Sequence, residues 1–458
     1  MKYLRSRFRT NAYKDVGSVL KKIGICGIVF MAMVVYFFTG LLNSYVLFAL
    51  PFCSIFLVFV LGRFLSTNKH GKVSIDLKSG FCIENRLSAY HIWLLALFGV
   101  VWGFVRGSWR IGNLIDLVII FCCVYVILGV PGEQDIFRLS LKIIAGFALF
   151  YAAGIWVQML LPNVYALYVD ALKNGSDVRI QTLTSYYTGF STSPGHTATF
   201  ITVGMFAFLS GILKNKWGVA AIEGFLFVSL LCTGMRMPVL ALCAGMFCYA
   251  CMRIPKEKRK FLYIGLPVVA VAGVLLSLLF MDQLRAIPTL NRVFITIEAA
   301  MAGKDITSGR SVLYRHAWNL FLQHPILGIG WGNFRHTVAG VVTENALFDV
   351  HNVYLQLLCE CGIPGFLCLV IPMVYTFIRT VKALGQTAIS RVDASWKALL
   401  GFSFLFQAYF LLFSMTDNLL FYTAQQILYL FSCAILFAYI KQKGRTNATG
   451  RLRRENVK

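Results

Sequence analysis

The sequence predicts an all-α, polytopic integral membrane protein with about 12 transmembrane helices and a large helical loop on its outer face. Three observations support this. Apolar residues make up 58% of the 458 and charged residues only 14%, with a mean hydropathy of +0.71. A soluble chain of this length would carry about a quarter charged residues. The apolar residues are gathered into runs of roughly 17–25, the length that crosses a bilayer core as helix. The net charge of +24 invites a nucleic-acid reading. Its basic residues, however, lie between the apolar runs rather than along a groove, so the expected partner is the lipid bilayer and no nucleic acid.

Taken in order, the apolar runs fall near 23–40, 41–62, 88–105, 111–130, 139–161, 197–213, 217–234, 237–252, 261–281, 353–378, 398–416 and 419–440. The amino-terminal basic cluster is followed by no small-residue cleavage site, so the first run reads as an uncleaved helix. With the amino terminus inside, about three quarters of the 43 Lys and Arg fall on its side. Short loops carry the bias most clearly: Arg253, Lys256, Lys258, Arg259 and Lys260 lie inside, as do Arg379, Lys382, Arg391 and Lys397. Both termini are then cytoplasmic, and loops 162–196 and 282–352 lie outside. The chain reads as one membrane domain, 1–458, with 282–352 as a functional outer loop and 441–458 as a basic cytoplasmic tail. Tyr165, Tyr168, Tyr186 and Tyr187 in the earlier outer loop read as interfacial anchors.

The richest stretch is Ser308–Gly365. Apolar residues at three- and four-residue spacing from Val312 to Phe321 predict a short amphipathic helix, capped by Ser308 and stopped by Pro325. Gly328, Gly330 and Gly332 follow in a tight turn, where positive φ brings backbone N–H groups near the surface. A polar loop containing Glu344 and Asp349 leads to His351 and Asn352 at the start of a long apolar helix. A helix start offers unpaired N–H donors and a partial positive charge that attracts anions. Arg310 adds a full charge at one helix start, and His351 stands at the other, placed to accept a proton. Anion-binding groups and a base then share the outer face.

Other charged and ligating residues weigh less. Arg236 sits between two apolar runs, where a charge must reach the interface, pair or line a cavity. Glu360 follows His351 by nine residues and so faces the opposite side of the helix, about 13 Å deeper, out of its reach. It reads as either a functional intramembrane carboxylate or a helix-packing hydrogen-bond acceptor, and Asp116, Glu223 and Asp417 are weaker cases of the same kind. Most of the 13 cysteines fall in apolar runs and read as small buried hydrophobes. Cys359 and Cys361 lack a second ligand pair, and His351 has no partner at ligand spacing, so no metal is expected. The glycine turn lacks the preceding strand of a dinucleotide fingerprint.

Several phrases resemble the O-antigen ligase and polymerase family of bacterial membrane glycosyltransferases. They are Ser308-Gly309-Arg310, Trp318, Pro325-x-x-Gly328-x-Gly330, and His351-Asn352-x-Tyr354 running on to Glu360, Gly362 and Gly365. Thr233-Gly234-Met235-Arg236 is similar to the family's arginine at a helix end, although Met235 replaces the usual Ser. Pro194-Gly195-His196 is loosely similar to a family turn. The resemblance implies a donor glycan on undecaprenyl diphosphate, a glycan or lipid acceptor, and transfer on the outer face of the bacterial inner membrane, without cofactor or metal. It implies that Arg236 and Arg310 bind the lipid diphosphate and that His351 is the catalytic base of an inverting displacement. Gly328, Gly330, Asn352, Tyr354 and Glu360 support them. Ligase and polymerase remain alternatives. A lipid-linked oligosaccharide flippase or other transporter is the rival class, expected to show related halves and charges near the midplane.

Overall fold

The computed structural model of the chain describes residues 20–35, 37, 45–67, 73–75, 134–172, 186–254, 256–259, 263–265, 268, 273, 279–307, 309–338, 348–389 and 394–455. Their regular secondary structure is helical apart from one antiparallel hairpin, in which β1 (Leu65–Thr67) pairs with β2 (Val73–Ile75), Ser66 opposite Ser74. The numbered helices are α1 (residues 20–34), α2 (Tyr45–Phe64), α3 (Gln134–Leu160), α4 (Pro162–Leu172), α5 (Pro194–Leu209), α6 (Lys216–Cys232) and α7 (Arg236–Arg253). They continue with α8 (Pro288–Met301), α9 (Arg310–Gln323), α10 (Val353–Ile389), α11 (Ala394–Phe413) and α12 (Thr423–Glu455). Among the described residues, four helices are long and apolar enough to cross a membrane: α3, α10, α11 and α12. The expected count of twelve is not matched by these four. The runs at 88–105 and 111–130 lie outside the described residues, most of 261–281 does too, and α5 and α6 have only 16 and 17 residues.

Local sequence explains where the helices begin. The Ser193 side chain accepts from Gly195 N at 3.3 Å with Pro194 opening α5, and Asn215 Oδ1 accepts from Trp217 N at 3.1 Å at the start of α6. Asn352 Oδ1 accepts from Leu355 N at 3.1 Å at the start of α10. In a bilayer the lipid is as apolar as the side chains, so helices associate through close contact rather than by escaping water. The tightest crossing shows this: α3 packs against α5 at Gly204, where a Cβ would lie 2.0 Å from that of Ala148. The apolar span of α12 is 94% buried, against 44% for α3. Thus α12 forms the middle of the bundle, with α11 between it and α7.

A second, smaller apolar core joins Leu313, Ala317 and Phe321 of α9 to Phe334, Val338, Val350 and Cys359. It seats the segment after α8 on the first turns of α10 and thereby positions the candidate site.

Candidate functional site

At this junction α7, α8, α9 and the end of α11 enclose a cavity of about 490 Å³ lined by Arg236, Arg292, Arg310, Tyr314 and Thr416. Each arginine is placed by its own local structure. Arg236 is the first residue of α7, following Gly234, whose φ of 72° turns the chain and over which a Cβ would collide with Tyr186. Arg310 opens α9 after Gly309, which has φ 82° and holds the N-cap position that the sequence assigns to Ser308. Ser308 itself lies outside the described residues. Here the free N–H groups are met by Asp305 Oδ2, which accepts from Gly309 N at 2.7 Å, and by Thr307 Oγ1, which accepts from Ser311 N at 3.0 Å. Pro325 does follow the helix end, with His324 at its C-cap.

Arg292, on α8, carries no sequence motif and emerges only from the fold. Its guanidinium lies over the Tyr186 ring at 4.5 Å and donates to Gly234 O at 3.2 Å, while Arg236 donates to Arg292 O at 3.4 Å. Arg310 donates to Thr416 O. Burial lowers the pKa of both Arg236 and Arg292; Tyr186 opposes the shift, and the nearby Arg310 charge adds to it. Three like charges crowded around a cavity repel one another until an anion shares them.

His351 is the only described residue other than glycine with a positive φ, 57°. For an imidazole-bearing residue that conformation is strained, and it persists because the neighbours hold it. Tyr314 donates from its hydroxyl to His351 O at 3.2 Å, and Val353 N donates to Ser414 O at 2.9 Å. The turn brings the ring beside Asp417, with Nδ1 3.5 Å from Oδ1, within ion-pair range but without a hydrogen bond between them. A carboxylate on that side favours the proton on Nδ1 and leaves Nε2 to accept. Asp417 is held in turn by Asn418 N at 2.8 Å and the Tyr422 hydroxyl at 3.3 Å. Burial alone would raise its pKa. Contact with His351, the Asn418 N–H and the charge of Arg310 outweigh burial and hold the carboxyl below its ordinary value. Gly195 abuts Asp417, since a Cβ there would lie 3.1 Å from Oδ2, and His196 sits edge-on to Tyr422. The loosely matched Pro194-Gly195-His196 phrase is thus brought to the same place.

The supporting residues separate into two groups. Asn352 caps α10, and the Tyr354 hydroxyl donates to Leu411 O at 2.8 Å, so both fix the helix that carries His351. Glu360, Gly328 and Gly330 form a different unit. Glu360 is fully buried, and its carboxylate accepts from Gly332 N at 2.9 Å, Phe334 N at 3.1 Å and Gln356 Nε2 at 3.2 Å. The N–H groups expected near the surface of the glycine turn therefore face inward. Ile329 N and Gly330 N bond the carbonyls of Cys359 and Glu360, and Ile363 N bonds Pro325 O across a break in α10 at Gly362. Two backbones touch here: a Cβ on Gly328 would lie 2.3 Å from Glu360 C, and one on Gly362 2.2 Å from Ile326 O. As the helical period requires, Glu360 does not contact His351. Asp349 is taken up by Arg335 through paired contacts of 2.5 and 2.6 Å, and Glu344 lies outside the described residues. His316 bonds Thr337 at 3.1 Å.

The stretch from within α6 to within α10, which contains the three arginines, His351 and Glu360, is the part of the chain that is similar to a known family. Residues 221–370 match the O-antigen ligase family. Asp417 lies beyond the O-antigen ligase match, and so does Gly195. No curated protein matches the chain. The O-antigen ligase match together with the apolar helices points to a bacterial membrane protein of glycan transfer, whose partners in general terms are a lipid-linked glycan and an acceptor.

Proposed function

We propose that this protein is a glycosyltransferase that moves or extends a glycan from undecaprenyl diphosphate onto an acceptor hydroxyl, on the outer face of the inner membrane and with inversion. The observation that carries the reading is one cavity lined by Arg236, Arg292 and Arg310 and, outside its lining, a strained His351 joined to it through the Tyr314 hydroxyl and through Thr416, the neighbour of Asp417. A glycosyl diphosphate already carries its leaving group. What the protein must supply is charge stabilisation on the departing diphosphate and a destination for the acceptor's proton.

In this mechanism the acceptor O–H gives its proton to His351 Nε2 as its oxygen attacks the anomeric carbon. The carbon–oxygen bond to phosphate breaks, and the electron pair leaves on the lipid diphosphate. Arg236, Arg292 and Arg310 share that charge through charge-assisted hydrogen bonds in a site of low hydration. Asp417 orients the imidazole and balances the imidazolium that forms. The loop 282–352 acts as the catalytic segment of a single membrane domain, with Glu360 and the glycine turn supporting its seat.

The test is transfer by the purified chain, supplied with a defined lipid-diphosphate glycan and candidate acceptors. Arg236→Ala and Arg310→Ala are expected to abolish product formation at normal folding and abundance. Full activity in either variant removes that arginine from the site.

A further inference from the structure

The other end of the helical bundle holds a second basic cavity. It has a volume of about 410 Å³ and is lined by the first turns of α3, the turn that follows α5, and the start of α11. Its lining residues include three cations, Arg138, Lys142 and Lys214, against one carboxylate, Asp135. Arg138 Nη2 donates to Ser395 Oγ at 2.6 Å, which holds the guanidinium beside the start of α11. That start belongs to a 20-residue helix, whose positive end adds to the same field. A net positive cavity with hydroxyl and N–H donors fits a phosphate group.

Two further observations say what carries the phosphate. The surroundings are apolar and open to the outside of the bundle: Leu139 in the cavity wall is 48% exposed, and Leu213 and Trp217, flanking Lys214 in sequence, are 41% and 87% exposed. Free phosphate has no use for such a rim, whereas an acyl chain does, and exposed Trp marks the bilayer interface. The cavity also lies at interface depth. Helix α11 runs from Ser395 here to Phe413 at the arginine cavity, 18 residues and therefore about 27 Å, close to the thickness of a bilayer core. The two cavities face opposite sides of the membrane.

We propose that this second cavity binds the phosphate headgroup of an anionic membrane lipid, whose acyl chains lie along Leu139 and Trp217. The lipid ties α3, the α5 turn and α11 together at the face opposite the candidate active site. The reading does not depend on the transfer reaction. Its test needs no glycan: the full chain, purified in neutral detergent and stripped of lipid, is titrated with phosphatidylglycerol, with phosphatidylcholine and with inorganic phosphate, following bound lipid by native mass spectrometry and unfolding temperature by intrinsic fluorescence. Phosphatidylglycerol is expected to bind and raise the unfolding temperature, and the other two to do neither. Lys142→Gln and Lys214→Gln should each weaken phosphatidylglycerol binding by about fivefold. Lys443→Gln serves as a control, because Lys443 is paired with Gln386 and lies outside the cavity lining. Equal protection by inorganic phosphate overturns the lipid assignment. Unchanged binding in the double Lys142→Gln/Lys214→Gln variant, or equal loss in Lys443→Gln, overturns the cavity.

Discussion

Glu360 and the arginine cavity sit at the two ends of the same small core, and both bring ionisable groups against apolar helices, yet they do it in opposite ways. Around Glu360 every polar group has found its complement: two backbone N–H groups and a Gln amide for the carboxylate, and carbonyls for the turn that lies over it. Around Arg236, Arg292 and Arg310 the donors reach carbonyl oxygens and ring faces, while burial, with the neighbouring positive charges adding to it, lowers the proton affinity of Arg236 and Arg292. A buried carboxyl whose hydrogen bonds close on the protein fixes structure; like charges gathered at a cavity need a ligand to complete them. Residue type alone does not separate these cases. Partner identity does.

If that contrast is right, the two regions fail differently when altered. The largest effect is expected at His351. His351→Gln should reduce transfer by about a hundred- to ten-thousandfold while the unfolding temperature and donor binding stay near wild type. Wild-type rates in that variant, or activity that vanishes with chelator and returns with a divalent ion, would remove His351 as the base. Arg292→Ala should cost about a hundred- to thousandfold in transfer if it shares the leaving-group charge, again with little loss of stability. Arg310→Lys should recover only part of the activity, because an ammonium cannot reproduce the planar fork.

On the other side of the contrast, Glu360→Ala strands two backbone donors and should lower stability by about 2–5 kcal/mol, measured by thermal unfolding in detergent. Gly362→Ala should do comparable harm, because its φ of 65° and the 2.2 Å approach to Ile326 O leave no room for a methyl group. A Glu360→Ala protein of normal stability but no transfer activity would make Glu360 chemical and erase the distinction. The smallest effect expected is in acid. Asp417 has a folded pKa below its unfolded value of about 3.8, so its contribution is complete above pH 3.8 and is lost as pH falls through the folded value. Asp417→Asn should therefore flatten the stability curve below about pH 4, and an unchanged acid limb would show that His351 and Arg310 do not hold that carboxylate.

Much of the fold is legible in the sequence because its signals are local. Apolar runs, the helix start at His351 and Asn352, Pro325 as a stop and the positive φ of the closely spaced glycines depend on neighbours within one helical turn. The period of a helix was enough to separate Glu360 from His351. Loop composition led to the expectation that Arg236, Arg310 and His351 share one face. The same local reasoning misjudged the glycine turn, whose N–H groups were expected outward. Its acceptors belong to α10, and no local pattern announces a contact between two crossing backbones.

Sequence by itself determined the helical, membrane-type character of the chain and the arginine, histidine and glycine phrases, since each follows from composition or spacing along the chain. Tertiary structure alone decided that Arg292 joins Arg236 and Arg310, that Asp417 stands beside His351, and that Glu360 holds a turn in place. Those outcomes depend on which helix ends meet in space. Here α11 carries Phe413 and the turn bearing Asp417 to the start of α10, and α8 carries Arg292 to Gly234. The contacts join residues far apart in sequence, so the physical information that fixes them lies in packing and is absent from any window of the chain.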